Sequence, residues 1–321
     1  MFDKEVLMSL FRKGKNLKYP KNTTNFIPRQ TLCVKINNME YYISLICDDN
    51  FKVKVVLLDT NSNIIYQLLE LDGDRASITK VQNNLYVFTE ENAYIYNINN
   101  IKDNPRTLFL GNLDIQGICS NQNYIYAYSI AKDKIIKYDQ NLISIQEYAN
   151  HYSTDNIRVS LSLACNEKTF FSIPIMTPTE EQYILMKRFM EQYVGYEIAK
   201  QNDQIHSCTF NSDENTLYIS MYNIIWIIKD GIEFSYLYFK ERGMTTILYD
   251  NDIKRLIVNF GGTNGKHLCG AVLELSDSEL KEKAIPITDI STTTFHYSQN
   301  IVETANNLLS SNSREAGIRR K

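Results

Sequence analysis

Apolar and polar positions alternate along most of this chain in short runs, separated by small polar clusters. The clearest stretch is Tyr124 to Tyr148, YIYAYSIAKDKIIKYDQNLISIQEY. An apolar alternating run is followed there by a short turn, then a second run closing on Tyr138 and Asp139, then a third after Gln140 and Asn141. Period-2 alternation over four to eight residues is the mark of half-buried strands. Asp and Asn recur between the runs because their side chains satisfy turn backbone locally.

The pattern returns about every 40 residues. Aligned on the turn between its third and fourth strands, the first copy predicts strands at Leu32–Asn37, Tyr41–Cys47, Val53–Asp59 and Ile64–Leu71. The second predicts Ala76–Val81, Leu85–Thr89, Ala93–Ile98 and Arg106–Leu110, and the third Ile115–Ser120, Tyr124–Ser129, Lys134–Asp139 and Leu142–Tyr148. The fourth opens with Ile157–Cys165 and Thr169–Ile175. Its remainder has two readings: a helix begun by the capping box of Thr179 and Gln182, or two strands, Tyr183–Phe189 and Tyr193–Ala199. The strand reading keeps the repeat intact and is preferred. The fifth copy is His206–Phe210, Thr216–Met221, Ile224–Lys229 and Phe234–Phe239. The sixth is Thr245–Tyr249, Arg255–Phe260, Cys269–Leu275 and Lys283–Ile287, after which Thr292–Tyr297 is expected to zip onto the first copy and close a ring. Four-stranded modules of this period predict an all-β β-propeller, of six blades or, as the alternative, seven. The first strands of the modules hold small residues, among them Ser77, Gly117, Ser120, Ser162, Ser207 and Thr246, as expected where neighbouring strands converge on an axis.

The strands from residue 31 to 298 resemble the six-bladed β-propeller superfamily in general. The Trp-Asp pairs of WD repeats and the Ser-x-Asp-x-Gly-x-x-Trp box of sialidases are both missing, the single tryptophan being Trp226. The resemblance therefore implies fold rather than activity.

Candidate chemistry is sparse. Gly261-Gly262-Thr263-Asn264-Gly265-Lys266 lacks the spacing of a phosphate-binding loop and is followed by His267, so it is read as a flexible loop between two strands. The four histidines form no metal-ligand pair, and the paired acids Asp48-Asp49, Asp72-Gly73-Asp74, Glu90-Glu91 and Asp250-Asn251-Asp252 fall at turns, where solvated charge is expected. The inner strands carry almost no carboxylates, which argues against axial calcium of the lactonase kind. No catalytic residue, cofactor or metal is predicted. The six cysteines form no C-x-x-C pair and read as small core hydrophobes. With no secretory h-region near the N-terminus and no long apolar run, the cytoplasm is the expected compartment, or a virion if the source is a phage. A net charge of -3 gives no overall reason to bind nucleic acid or an anionic membrane.

What remains is recognition. The longer connections, 149–156, 176–182, 200–204, 240–243 and 261–267, are expected on one face of the ring, so His151, Tyr152, Arg242, Asn264, Lys266 and His267 are candidate partner-binding residues. Outside the repeats, residues 1–30 read as a helix and basic linker, and 299–321 as a helix and basic tail. The apolar helical stripes include Val6, Leu10 and Phe11 at one end and Ile301, Leu308 and Leu309 at the other, further candidates for docking a protein. The expected function is a non-enzymatic protein-interaction scaffold, a subunit of a larger assembly such as a phage or virion complex. The alternative is a hydrolase or lyase with its site at the axial opening, which leaves room for a small-molecule ligand.

Overall fold

A computed structural model of the chain describes residues 24–71, 73, 75–150, 153, 160–166, 170–175, 205–221, 224–230, 233–239, 243–264 and 267–286. The first sheet runs β1 (Ile27–Ile36), β2 (Met39–Cys47), β3 (Val53–Leu58) and β4 (Ile64–Leu71), each strand antiparallel to the last. The second is β5 (Ser77–Val81), β6 (Asn84–Phe88), β7 (Asn92–Asn97) and β8 (Arg106–Phe109). The third is β9 (Ile115–Ser120), β10 (Ile125–Ser129), β11 (Lys134–Tyr138) and β12 (Ser144–Ala149). A two-stranded sheet follows, β13 (Ser160–Cys165) with β14 (Phe170–Ile175). Next come β15 (Ile205–Asn211), β16 (Thr216–Met221), β17 (Ile224–Lys229) and β18 (Glu233–Tyr238), and last β19 (Met244–Asp250), β20 (Arg255–Asn264) and β21 (His267–Ser276).

The sequence places these strands well because turn chemistry repeats with them. Asp59 Oδ1 accepts from the backbone N–H of Asn61 at 2.9 Å and of Asn63 at 2.8 Å. Asp139 Oδ1 does the same for Asn141 at 2.9 Å and Ile143 at 2.8 Å, at the equivalent turn two sheets on. Each carboxylate satisfies two amides that a tight turn leaves without a ladder partner.

The sheets are arranged as a propeller. Inner strands β1, β5, β9, β13, β15 and β19 neighbour one another in chain order, and β19 returns to β1. The core lies between sheets, as layers. Leu32, Ile43, Leu45 and Val55 of the first sheet pack on Ile78, Leu85 and Val87 of the second. Tyr126, Tyr128 and Ile135 of the third pack on Leu161 and Leu163 of β13, and Tyr218, Ile225 and Leu237 on Leu256, Val258 and Phe260 of the last sheet.

Two expectations need correction. Among the described residues five sheets hold three or more strands, against the six full blades expected; the other position is held by the β13–β14 hairpin, because 183–189 and 193–199 lie outside the described residues. The segment read as the last sheet's fourth strand is not part of that sheet. Ser276 caps a helix, α1 (Asp277–Lys283), in a reciprocal capping box with Glu279, and the chain then returns as β22 (Ile285–Pro286) to the edge of β18. Its Leu280 is buried between the fifth and last sheets, and that burial holds the chain away from β21. The described ring closure also comes from the other end: Thr24 and Gly270 exchange backbone hydrogen bonds at 2.8 and 3.3 Å, placing the chain before β1 against β21. A Cβ on Gly270 would stand 2.4 Å from Phe26 O, so this seam needs glycine. The proposed closing run Thr292–Tyr297 lies outside the described residues.

Candidate functional site

The six inner strands surround a cavity of about 600 Å³, with walls from every sheet. Inner strands diverge from one another more than ladder partners do, so their backbone groups need other partners. Small polar side chains supply them across the blade junctions. Gln30 Oε1 accepts from Ile78 N–H at 2.8 Å between the first two sheets. Ser120 donates to Lys80 O at 2.7 Å and shares a 2.6 Å hydrogen bond with Thr79 between the second and third. Ser162 Oγ accepts from Cys208 N–H at 3.0 Å, and Ser207 Oγ and Thr209 Oγ1 accept from Ile247 and Tyr249 N–H at 2.7 and 2.8 Å. At the seam between last and first sheets, Thr31 Oγ1 donates to Asn259 Oδ1 at 2.6 Å, and Asn259 Nδ2 donates to Thr246 Oγ1 at 2.9 Å. The small residues of the inner strands thus serve bonding as well as space. Only Gly117 is there for space, since a Cβ would stand 2.3 Å from Leu161 O.

At the end of the cavity formed by the turns after the inner strands, Lys80 joins three sheets. Its Nζ donates to Cys33 O at 3.0 Å and to Asp250 Oδ2 at 2.7 Å, and lies 3.2 Å from Asp252 Oδ2. Asp250 is buried, and its other oxygen accepts from Asp252 N–H at 3.0 Å. Burial alone would pull the Lys80 ammonium down, but the charges and hydrogen bonds of Asp250 and Asp252 prevail and hold it above its ordinary range. The same surroundings push the Cys33 thiol up to about 12, through burial first and then the charges of Asp250 and Glu274. This pair escaped the sequence reading, which took Asp250 for a solvated turn residue. The available signal was a lysine within the inner strand Ser77-Ile78-Thr79-Lys80-Val81, which needs an acid from elsewhere in the ring.

Among the titratable groups on the cavity wall are Lys80, His206 and three cysteines. Lys80, its only inner-strand ammonium among the described residues, is held by its acceptors, and burial lowers the pKa of His206. Cys119, Cys165 and Cys208 line one side as free thiols, with burial pushing Cys119 well up and Cys208 to about 12. Among the described residues no group of three or more His, Cys, Asp or Glu could hold a metal ion, and no helix is long and apolar enough to cross a membrane.

Of the predicted partner-binding residues, Asn264 and His267 pair with each other at the tip of the β20–β21 hairpin. That hairpin corrects the flexible loop read at 261–267: Gly261 to Asn264 continue β20 in register with Gly270 to His267. Glycines at three of those positions masked the strand. His151, Tyr152, Arg242, Lys266, Val6, Leu10, Phe11, Ile301, Leu308 and Leu309 lie outside the described residues.

A different surface, unseen in the sequence, stands out on the outer strands. Ile64, Ile65 and Tyr66 on β4, Phe109 on β8, Ile143 just before β12 and Ile145 on it are all exposed. Alternation alone would bury one face of each strand. Outermost strands have no sheet beyond them, and bulges in the β3–β4 and β11–β12 pairings turn extra residues outward.

No family model and no curated protein matches this chain. Among solved structures, selenomethionine-substituted virginiamycin B lyase from Staphylococcus aureus is similar to 79% of this chain and 85% of its own, with 11% identity and a TM-score of 0.44.

Proposed function

We propose that this protein is a non-enzymatic interaction scaffold, a β-propeller whose outer strands present the contact surface. One observation carries the reading: exposed large apolar side chains gather on the outer strands of three consecutive sheets, Ile64, Ile65 and Tyr66, then Phe109, then Ile143 and Ile145. Single exposed apolar residues are ordinary, whereas a recurrence on equivalent strands marks a contact surface. The fifth sheet supplies a contrast within the chain, its outer strand β18 being covered by β22.

Capture from the source cell, with native mass measurement, tests this. Wild-type protein is compared with an Ile65→Ser, Phe109→Ser, Ile145→Ser variant of unchanged melting temperature. Loss of the captured protein in the variant supports the scaffold, and unchanged capture removes it. The second reading, a hydrolase or lyase at the axis, draws on the 600 Å³ cavity. It has less support, because Lys80, Asp250 and Asp252 on the wall are committed to one another across the blades.

A further inference from the structure

Four of the six inner strands break register at the same point, near their starts. In β1, Pro28 pairs with Ile46 and Gln30 with the next residue, Leu45, so that Arg29 is an extra residue outside the ladder. Gln116 on β9, His206 on β15 and Thr245 on β19 are extra in the same way. A bulge of this kind re-aims the side chain it leaves unpaired. All four bulged residues are polar, and three of them, Arg29, Gln116 and His206, line one end of the axial cavity. The adjoining Gln30 lines it too: with its Oε1 committed to Ile78 N–H, the side chain keeps Nε2 as a donor.

The opposite end differs in charge and in access. Asp213, Asp250 and Asp252, the carboxylates that line the cavity among the described residues, stand there with Lys80. That end is laced across the blades, by Lys80 to Asp250, by Asn121 Nδ2 to Asn166 O at 3.0 Å and by Asn251 Nδ2 to Phe210 O at 3.2 Å. From Arg29 to Cys33, whose carbonyl holds Lys80, β1 advances four residues, roughly 13 Å of strand. A molecule of a few heavy atoms held at Arg29 therefore stays clear of the acids. We propose that the bulged end of the cavity is a binding site for a small organic monocarboxylate, taken by the Arg29 guanidinium with Gln30, Gln116 and His206 beside it. The planar fork of an arginine meets a carboxylate through two parallel hydrogen bonds. Among the described residues Arg29 is the one arginine on the wall, and a single permanent cation suits a singly charged carboxylate better than a phosphate dianion. A cavity of about 600 Å³ is of the size that small-molecule sites have. The site lies on the axis and does not depend on the rim surface proposed above.

The experiment is a calorimetric titration of the full chain with acetate, propionate, lactate and benzoate, each set against its uncharged amide. At least one acid is expected to bind once per chain, about tenfold or more tighter than its amide, as the loss of one charge-assisted hydrogen-bonded pair implies. Arg29→Gln and Gln116→Ala, checked for unchanged melting temperature, are expected to weaken that acid by about tenfold and about threefold. Gln122→Ala, on the wall at the laced end, leaves it unchanged. The comparison of acid with amide uses wild-type protein alone and stands if a variant fails to fold. The proposal is overturned if no acid of the panel binds, if the amides bind as tightly, or if inorganic phosphate at equal concentration displaces the acid. It is equally overturned if folded Arg29→Gln binds like wild type, or if Gln122→Ala weakens binding as much as Arg29→Gln.

Discussion

The inner and outer strands of this propeller solve opposite problems. Inner strands β1, β5, β9, β13, β15 and β19 are hemmed in by neighbours on two sides, and small polar residues recur in them where a hydroxyl or amide bridges five of the six junctions. Outer strands β4, β8 and β12 have open edges and carry large apolar side chains into solvent. The polar residues in this fold are thus concentrated where the chain is most constrained, and apolar exposure where it is least. Polarity at the axis serves architecture, whereas the apolar side chains at the rim stand in solvent.

Removing one member of the inner charge pair should have the largest effect. Asp250→Ala leaves the Lys80 ammonium without its closest acceptor in a buried setting, and a loss of about 3 kcal/mol is expected from chemical denaturation. Asp252, which is exposed, recovers part of the contact. Gly117→Ala follows, at about 2 to 3 kcal/mol, since the new methyl meets the Leu161 carbonyl and two strands must part. A loss below about 0.5 kcal/mol would mean that the β9–β13 junction yields easily and that the inner ring is less constrained than described.

The pH dependence of the axis gives a smaller effect. His206 has a folded pKa below its ordinary value of 6.5 because burial disfavours the imidazolium. The unfolded chain therefore binds the proton more readily, and stability contributed by the neutral ring is complete above 6.5 and lost as pH falls below it. Melting temperature followed from pH 8 down to 5 should drop less for His206→Gln than for wild type. Equal slopes would remove His206 as a source of acid sensitivity. Smallest of all, Ile65→Ser and Phe109→Ser should each change stability by no more than about 0.5 kcal/mol, because these side chains are already in water. A larger loss would show that the rim side chains are part of the fold.

The strands and their turns were legible because they depend on neighbours in sequence. Asp59 and Asp139 each organise the four residues that follow, and alternation between such turns locates the strands without reference to the ring. What depends on distant partners was not legible. Lys80 and Asp250 come from the second and last sheets, and only the closed ring brings them to 2.7 Å. The hairpin of β20 and β21 was hidden for another reason: glycines with no side-chain pattern of their own pair there because the backbone on both sides already does. Ile65 and Ile145 at the rim were missed because each sits at a bulge, which alternation does not encode.

The bridge between Thr24 and Gly270 has a consequence for the order in which the molecule is made. A ribosome releases Thr24 long before Gly270 exists, so the first sheet must wait, its neighbouring surface uncovered, until almost every other strand has left the exit tunnel. During synthesis Phe26, Cys33, Tyr42 and Val56 lack the Ile257 they finally pack against, and the nascent chain carries an open apolar wall that the finished ring conceals.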